Sequence, residues 1–189
     1  MLELFKQLGI KYLDRTIYHP QCVKFEKTKL TDYKEYGKAS KISSQQFKLF
    51  SKQLRENYKA PIYVKWTSDE VGYGVFASEY IPAGSFIAEY AGVVVPKKLV
   101  KNRTWSWKYP SKGHFIDSYR KFTSLDGGFY GNEMRFINHS DSRNTSPVVI
   151  HDGTTWYNCY YVVKAIAKDQ ELLTSYGKSY WKNKTKLDL

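Results

Sequence analysis

The chain carries only two cysteines, Cys22 and Cys159, in 189 residues. Two isolated thiols cannot make a cysteine-rich zinc cluster or a disulfide framework, and they suit an intracellular protein. Long apolar runs are also missing: none approaches the roughly 20 residues that cross a bilayer as a helix. Met1 to Gly9 alternates apolar with charged residues and lacks the apolar stretch of a secretory signal. No internal repeat or low-complexity tract interrupts the chain. Acidic side chains are scarce, 18 against 30 Lys and Arg. These shortages lead to the expectation of a soluble, intracellular, basic protein with no membrane partner and no bound metal.

Positive charge and tyrosine are what the chain has in quantity. The formal charge of +12 attracts polyanions such as nucleic acid, nucleosomal DNA or an anionic membrane, without choosing among them. A basic protein with no nucleic-acid role fits the number equally well. Hydrophobic residues at 42% can fill a core, and charged residues at 25% are too few for global disorder. The length suits one domain with a flanking element. The 17 tyrosines combine an apolar ring with a hydroxyl, which suits strand cores and narrow channels alike.

Composition changes at Pro61. Before it, residues 24–59 are rich in Lys, Gln and Ser and poor in β-branched side chains. Ser43-Ser44-Gln45-Gln46, followed by Phe47, Phe50 and Leu54, predicts a helix capped by Ser43, with Gln46 reaching back, that ends near Asn57. A shorter amphipathic helix is expected at Leu2 to Leu8. From Ile62 onward the pattern is short β-type runs: Ile62 to Trp66, Gly74 to Ala77, Phe86 to Val95, Val148 to His151 and Trp156 to Ile166. Ile81-Pro82-Ala83-Gly84 is a turn. Residues 102–113 fit neither period and read as a loop or insert; Lys178 to Lys186 could form a short basic helix. The expected organisation is a helical flank at 1–60, used for packing or substrate docking, and a mostly β domain at 61–189.

Three segments carry chemistry. Gly72-Tyr73-Gly74 allows backbone to approach a ligand closely, although alone it reads as a hairpin turn; a dinucleotide fingerprint is excluded because the third glycine and the following helix are missing. Arg135-Phe136-Ile137-Asn138-His139-Ser140 clusters donors and acceptors suited to a polar ligand. Glu171-Leu172-Leu173-Thr174-Ser175-Tyr176-Gly177, followed by Tyr180 and Trp181, ends in a tyrosine that by itself would be assigned to packing.

Taken in that order, with Glu89-Tyr90-Ala91-Gly92, Asp126, Gly131-Asn132 and Asn144 between them, the segments resemble the signatures of SET-domain protein lysine methyltransferases over about residues 62–181. The ending is similar to that of compact viral and bacterial members without zinc clusters before or after the domain. The resemblance implies a mostly β SET fold of several small sheets, in which a pseudoknot brings Asn138, His139 and Tyr176 to one point. It implies S-adenosyl-L-methionine as cofactor, held by Gly72, Tyr73, Gly74, Asn138, His139, Tyr176 and Trp181, with Trp181 placed to stack on adenine. It implies Tyr176 as the catalytic tyrosine and Tyr90 as the tyrosine lining the lysine channel. His139 is equally compatible with a structural role.

The departures are informative. Thr174 stands where many members carry Tyr or Phe that limits the number of methyl groups, so Tyr157, Tyr160 or Tyr161 are alternatives for filling that space. Asp141 and Arg143 replace the usual Cys and Pro. The implied substrate is a protein lysine, in a histone tail, with Glu89, Asp117 and Asp126 as candidates for an acidic groove. The basic surface would meet nucleosomal DNA, a homodimer is among the expected partners, and a histone substrate would place the protein in a nucleus, that of a host cell included. A non-histone basic protein substrate, or a catalytically silent chromatin-binding module, are the rival readings.

Overall fold

The flanking chain begins with α1 (Leu2–Gln7), which turns Phe5 into the core, and continues as two short strands, β1 (Lys11–Tyr12) and β2 (Ile17–Tyr18). The computed structural model describes residues 1–25, 42–96, 99, 106–107, 123–177 and 181. Most of the 102–113 insert, Asp117 and the C-terminal basic segment lie outside the described residues. After a 3-10 turn at Pro20–Phe25 comes α2 (Ser44–Arg55), with the expected capping box. Gln46 N–H donates to Ser43 Oγ at 3.1 Å, and Ser43 N–H to Gln46 Oε1 at 3.0 Å. The two bonds satisfy donors that a helix start otherwise leaves open. The helix ends at Arg55, and Asn57 adopts φ 54°.

The β domain follows as β3 (Ile62–Ser68), β4 (Gly72–Ala77), β5 (Phe86–Glu89), β6 (Val93–Pro96), β7 (Ser106–Trp107), β8 (Thr123–Asp126) and β9 (Tyr130–Gly131). A 3-10 turn at Glu133–Phe136 leads into β10 (Asn138–His139), β11 (Thr145–His151), β12 (Trp156–Val162) and β13 (Leu173–Thr174). The strands form small sheets: β3-β4, β11-β12-β5, β2-β6-β8-β7, and the parallel pairs β1-β9 and β10-β13. Short strands in several small sheets, with the two α-helices among the described residues lying in the N-terminal part, agree with the mostly β architecture read from the sequence.

Two runs are shorter than the sequence pattern. Residues 86–95 are not one strand, because Tyr90 to Gly92 carries the chain from the β12 sheet to the β8 sheet. The transfer needs glycine: a Cβ at Gly92 would lie 2.7 Å from the Asp126 carbonyl oxygen. The run at 156–166 stops at Val162, and Ile166 instead forms an isolated bridge with Ile81. The flank also holds strands with no periodic signature. β1 runs parallel to β9 and β2 parallel to β6, so residues 11–18 are edge strands of the β domain's own sheets.

Among the described residues the two larger apolar clusters share β12, and Trp156 at its start packs separately with Phe47 and Val149. Tyr160 and Val162 join Ile87, Ala88 and Tyr90 in the larger one, whereas Tyr157, Cys159 and Tyr161 pack with Phe50 and Leu54 of α2. That division is the period-two alternation of a strand buried on both faces. Both thiols are free and buried.

Candidate active site

The C-terminal strand is held from two sides. β10 pairs it in parallel, Asn138 with Leu173 and His139 with Thr174. Past the turn, Asn144 donates its side-chain amide to the Glu171 carbonyl at 2.7 Å and accepts from Leu173 N–H at 2.8 Å. Thr145 Oγ1 donates to the Leu173 carbonyl at 2.8 Å. Residues 171–174 are thus enclosed between 138–140 and 144–145, which brings segments more than 30 positions apart into one site.

Glu171 is the meeting point. Asn138 Nδ2 donates to its carboxylate at 2.8 Å and approaches the Tyr73 carbonyl at 3.2 Å. A Cβ at Gly74 would collide with the same carboxylate and lie 2.8 Å from Thr67 Oγ1. Gly74 therefore makes room for Glu171, while Gly72, at φ +78°, shapes the hairpin turn. The sequence pattern read both glycines as room for a ligand; at Gly74 the room is filled from within. Burial raises the Glu171 carboxyl above its ordinary value, opposed by the Asn138 donor and the Lys65 charge.

Tyr176 is fixed at both ends. Its hydroxyl donates to the Ile137 carbonyl at 2.6 Å, and its backbone N–H donates to His139 Nδ1 at 3.1 Å. Because Nδ1 accepts, the His139 ring hydrogen sits on Nε2, 3.5 Å from Asp141 Oδ1. His139 is 4% exposed, so its ring works as a support under Tyr176. Trp181 lies nearly parallel to Tyr176, at 14° with 6.0 Å between centroids, and packs 4.8 Å from His139.

A second group of aromatics approaches from the β5–β12 sheet. Tyr90 is buried, and that burial pushes its hydroxyl up to about 12 against the pull of the nearby Arg135 cation. The Tyr160 hydroxyl is raised well above its ordinary value by burial and by its neighbours Tyr90 and Tyr176. Of the three tyrosines weighed for the space beside Thr174, Tyr160 shares this neighbourhood. Tyr161 faces α2, and Tyr157 lies under the Arg15 guanidinium, 4.6 Å from its ring centre. Thr174 is fully buried.

The proposed acidic groove needs correction at Glu89. Its carboxylate is 4% exposed, accepts Thr16 N–H at 2.7 Å and pairs with Arg15 Nε at 3.1 Å. Arg15 also holds Asp152 at 3.0 Å. Glu89 is turned into the protein to fasten the flank, so it offers nothing to a substrate surface. Asp126 is partly buried and accepts Gly128 N–H at 2.8 Å. No local motif announces the Arg15–Glu89 pair, since 74 positions separate its members.

The oxygen acceptors around Asn138 and Tyr176 (the Tyr73 and Ile137 carbonyls, the Tyr176 hydroxyl and the Glu171 carboxylate), beside the rings of Tyr176 and Trp181, fit a cationic ligand that also carries an aromatic group. No group of His, Cys, Asp and Glu that could hold a metal occurs among the described residues.

Comparison with known proteins agrees with this arrangement. The SET domain family matches residues 72–177, more than half of the chain, and the chain belongs to that family. It is 30% identical over 133 residues to the histone-lysine N-methyltransferase EZH2 of Chaetomium thermophilum, covering 65% of this chain and 8% of that protein. It is 32% identical over 111 residues to the histone-lysine N-methyltransferase ASHH3 of Arabidopsis thaliana, covering 58% of this chain and 30% of the relative. The chain thus spans under a third of the length of these curated relatives. Among solved structures, ATXR5 in complex with histone H3.1 superposes with a TM-score of 0.67 at 14% identity, covering 100% of this chain and 88% of that one. The apo Polycomb Repressive Complex 2 of Chaetomium thermophilum gives a TM-score of 0.55 at 23% identity over 65% of this chain and 16% of that one. Those two likenesses establish the fold.

Proposed function

We propose that the protein is a protein-lysine N-methyltransferase that uses S-adenosyl-L-methionine and acts on a histone. The carrying observation is that the half-buried Tyr176, pinned to the Ile137 carbonyl and to His139 beside the Asn138–Glu171 lock, neighbours the buried Tyr160, which also neighbours Tyr90. Family membership and the histone-lysine methyltransferases among its relatives support the reading.

When bound, S-adenosyl-L-methionine supplies a methyl group on a cationic sulfur, ready for in-line transfer to an amine without a metal. Gly72, Tyr73, Gly74, Asn138, His139, Tyr176 and Trp181 would hold it. Gly74 and His139 contribute indirectly, one by admitting Glu171 and the other by fixing Tyr176. Trp181 is already stacked on Tyr176, so any ring contact it makes with the cofactor extends that stack.

The substrate lysine must be neutral, although its free pKa is about 10.4. A pocket walled by buried tyrosines disfavours the ammonium form and lowers that value. Tyr176 has its proton committed to the Ile137 carbonyl, so its oxygen is left as an acceptor that orients an amine N–H and does not act as a strong base. Tyr90 and Tyr160 exclude water and hold the amine in line, where proximity supplies much of the rate. On this reading the β domain at 61–189 is the catalytic unit and the flank at 1–60 braces it through Arg15. A histone substrate implies a nuclear location, with the basic surface meeting nucleosomal DNA.

The test is incubation of the protein with isotopically labelled cofactor and recombinant histones, followed by mass spectrometry of modified lysines. Label on one or a few lysines is expected. Label on a non-histone protein in a lysate, with none on histones, would move the substrate; binding of DNA with no affinity for S-adenosylhomocysteine would make the chain a silent module.

A further inference from the structure

Asn158 is the third residue of β12, and its side chain takes no part in the contacts described above. The residue is 4% exposed, and its side-chain Nδ2 has no hydrogen-bond partner among the described residues. Buried amides are normally paired, and an unpaired one is a cost that asks for a reason. The register supplies one. β12 runs antiparallel to β5 with Cys159 opposite Glu89 and Tyr160 opposite Ala88, and Tyr90 N–H donates to the Asn158 carbonyl at 2.8 Å. Asn158 is therefore directly across from Tyr90, and side chains of directly opposed residues stand on the same sheet face. Tyr160, two residues along, stands on that face as well, where it neighbours Tyr90 and Tyr176.

We propose that Asn158 is a hydrogen-bonding wall of the lysine pocket, whose carboxamide pairs with the N–H of the substrate amine and disfavours its replacement by methyl. The proposal rests on the methyltransferase reading above. A carboxamide offers a donor at one end and an acceptor at the other, exchanged by a half-turn about its last torsion. With the acceptor inward it pairs with an amine N–H. Each methyl group added removes an N–H and leaves the buried oxygen facing carbon, so the unmethylated and monomethylated amines are the preferred substrates.

The test replaces the amide with an apolar side chain of similar size, Asn158→Leu, with Asn158→Val as the second variant should the first not fold. Melting temperature is measured alongside kcat/KM on the histone lysine that wild type accepts, offered unmethylated and dimethylated. The proposal predicts stability unchanged or raised by about 2–4 °C, because an unpaired buried group is gone. It also predicts that preference for the unmethylated over the dimethylated substrate shrinks by about tenfold, the worth of one hydrogen bond. A purely structural amide would give the reverse: a lowered melting temperature, or an unchanged preference, and either result overturns the proposal. An inactive wild type overturns the methyltransferase reading instead, and the stability measurement still decides whether the amide is structural.

Discussion

Asn138 donates its side-chain amide to the Glu171 carboxylate at 2.8 Å, and that carboxylate occupies the space a side chain would need at Gly74. One interaction thus ties together the hairpin turn, the Asn-His segment and the C-terminal strand. Gly74→Ala should cost about 1–3 kcal/mol by overpacking. Glu171→Ala should weaken cofactor affinity by about tenfold through loss of the Asn138 acceptor. In the double variant the cavity at 171 accommodates the methyl at 74, so the stability losses should be less than additive. Chemical denaturation and calorimetry with S-adenosylhomocysteine measure both effects.

Arg15 and Glu89 give a pH-dependent prediction. Burial raises the Glu89 carboxyl above its ordinary value, and the Arg15 cation and Thr16 N–H hold it down. Among the described residues, Asp152, Tyr157, Cys159 and Tyr18 are further titratable groups of this cluster. Arg15→Met leaves a buried carboxylate without its cation and should cost about 3 kcal/mol at pH 8. A carboxyl raised in the folded state binds protons more readily there than in the unfolded chain. Between the two pKa values, stability therefore rises as pH falls. The deficit of Arg15→Met relative to wild type should shrink from pH 8 to pH 5, as the buried Glu89 carboxyl takes up a proton. Urea denaturation at the two pH values checks it; a deficit that grows on acidification contradicts it.

His139 should act through Tyr176. Replacing it with Ala removes the acceptor of Tyr176 N–H and the ring packed 5.4 Å from Tyr176. The expected result is a kcat loss of about tenfold or more with the cofactor dissociation constant changed far less. Steady-state kinetics with calorimetry separates the two.

Much of the site was legible because its signals are local in the chain. The capping box at Ser43 and Gln46, the turn at Gly84 and the Asn-His and Tyr-Gly segments each fit within a few residues. The structure accordingly places Asn138, His139 and Tyr176 together. What escaped depends on pairing across distance. β1 and β2 are two residues long and carry no periodicity, so the flank reads as purely helical, and only their pairing with Tyr130–Gly131 and Val93–Val94 defines them as strands. Glu89 looked like a surface acid because nothing nearby in the chain announces Arg15. The position of Asn158 across from Tyr90 follows from strand register alone. That Tyr160 shares the apolar cluster of Tyr90 whereas Tyr157 and Tyr161 pack with α2 depends on the β12 alternation, which no local motif announces.

The basic surface carries its own prediction. If the +12 charge engages nucleosomal DNA, affinity for duplex DNA of random sequence should fall steeply and linearly in log–log form as salt rises. Methyl transfer to nucleosomes should then show more salt sensitivity than transfer to a free histone peptide. Equal salt dependence for both would remove DNA from the account.

The most direct measurement is single-turnover methyl transfer to recombinant histone by wild type and Tyr176→Phe, with cofactor affinity determined for each. The variant keeps the ring, its stacking on Trp181 and the backbone bond to His139, and loses only the hydroxyl that bonds the Ile137 carbonyl. The account predicts transfer by wild type, a loss on the order of 10- to 100-fold in the variant, and nearly unchanged cofactor binding. Transfer at equal rates by both proteins, or transfer by neither, would contradict it.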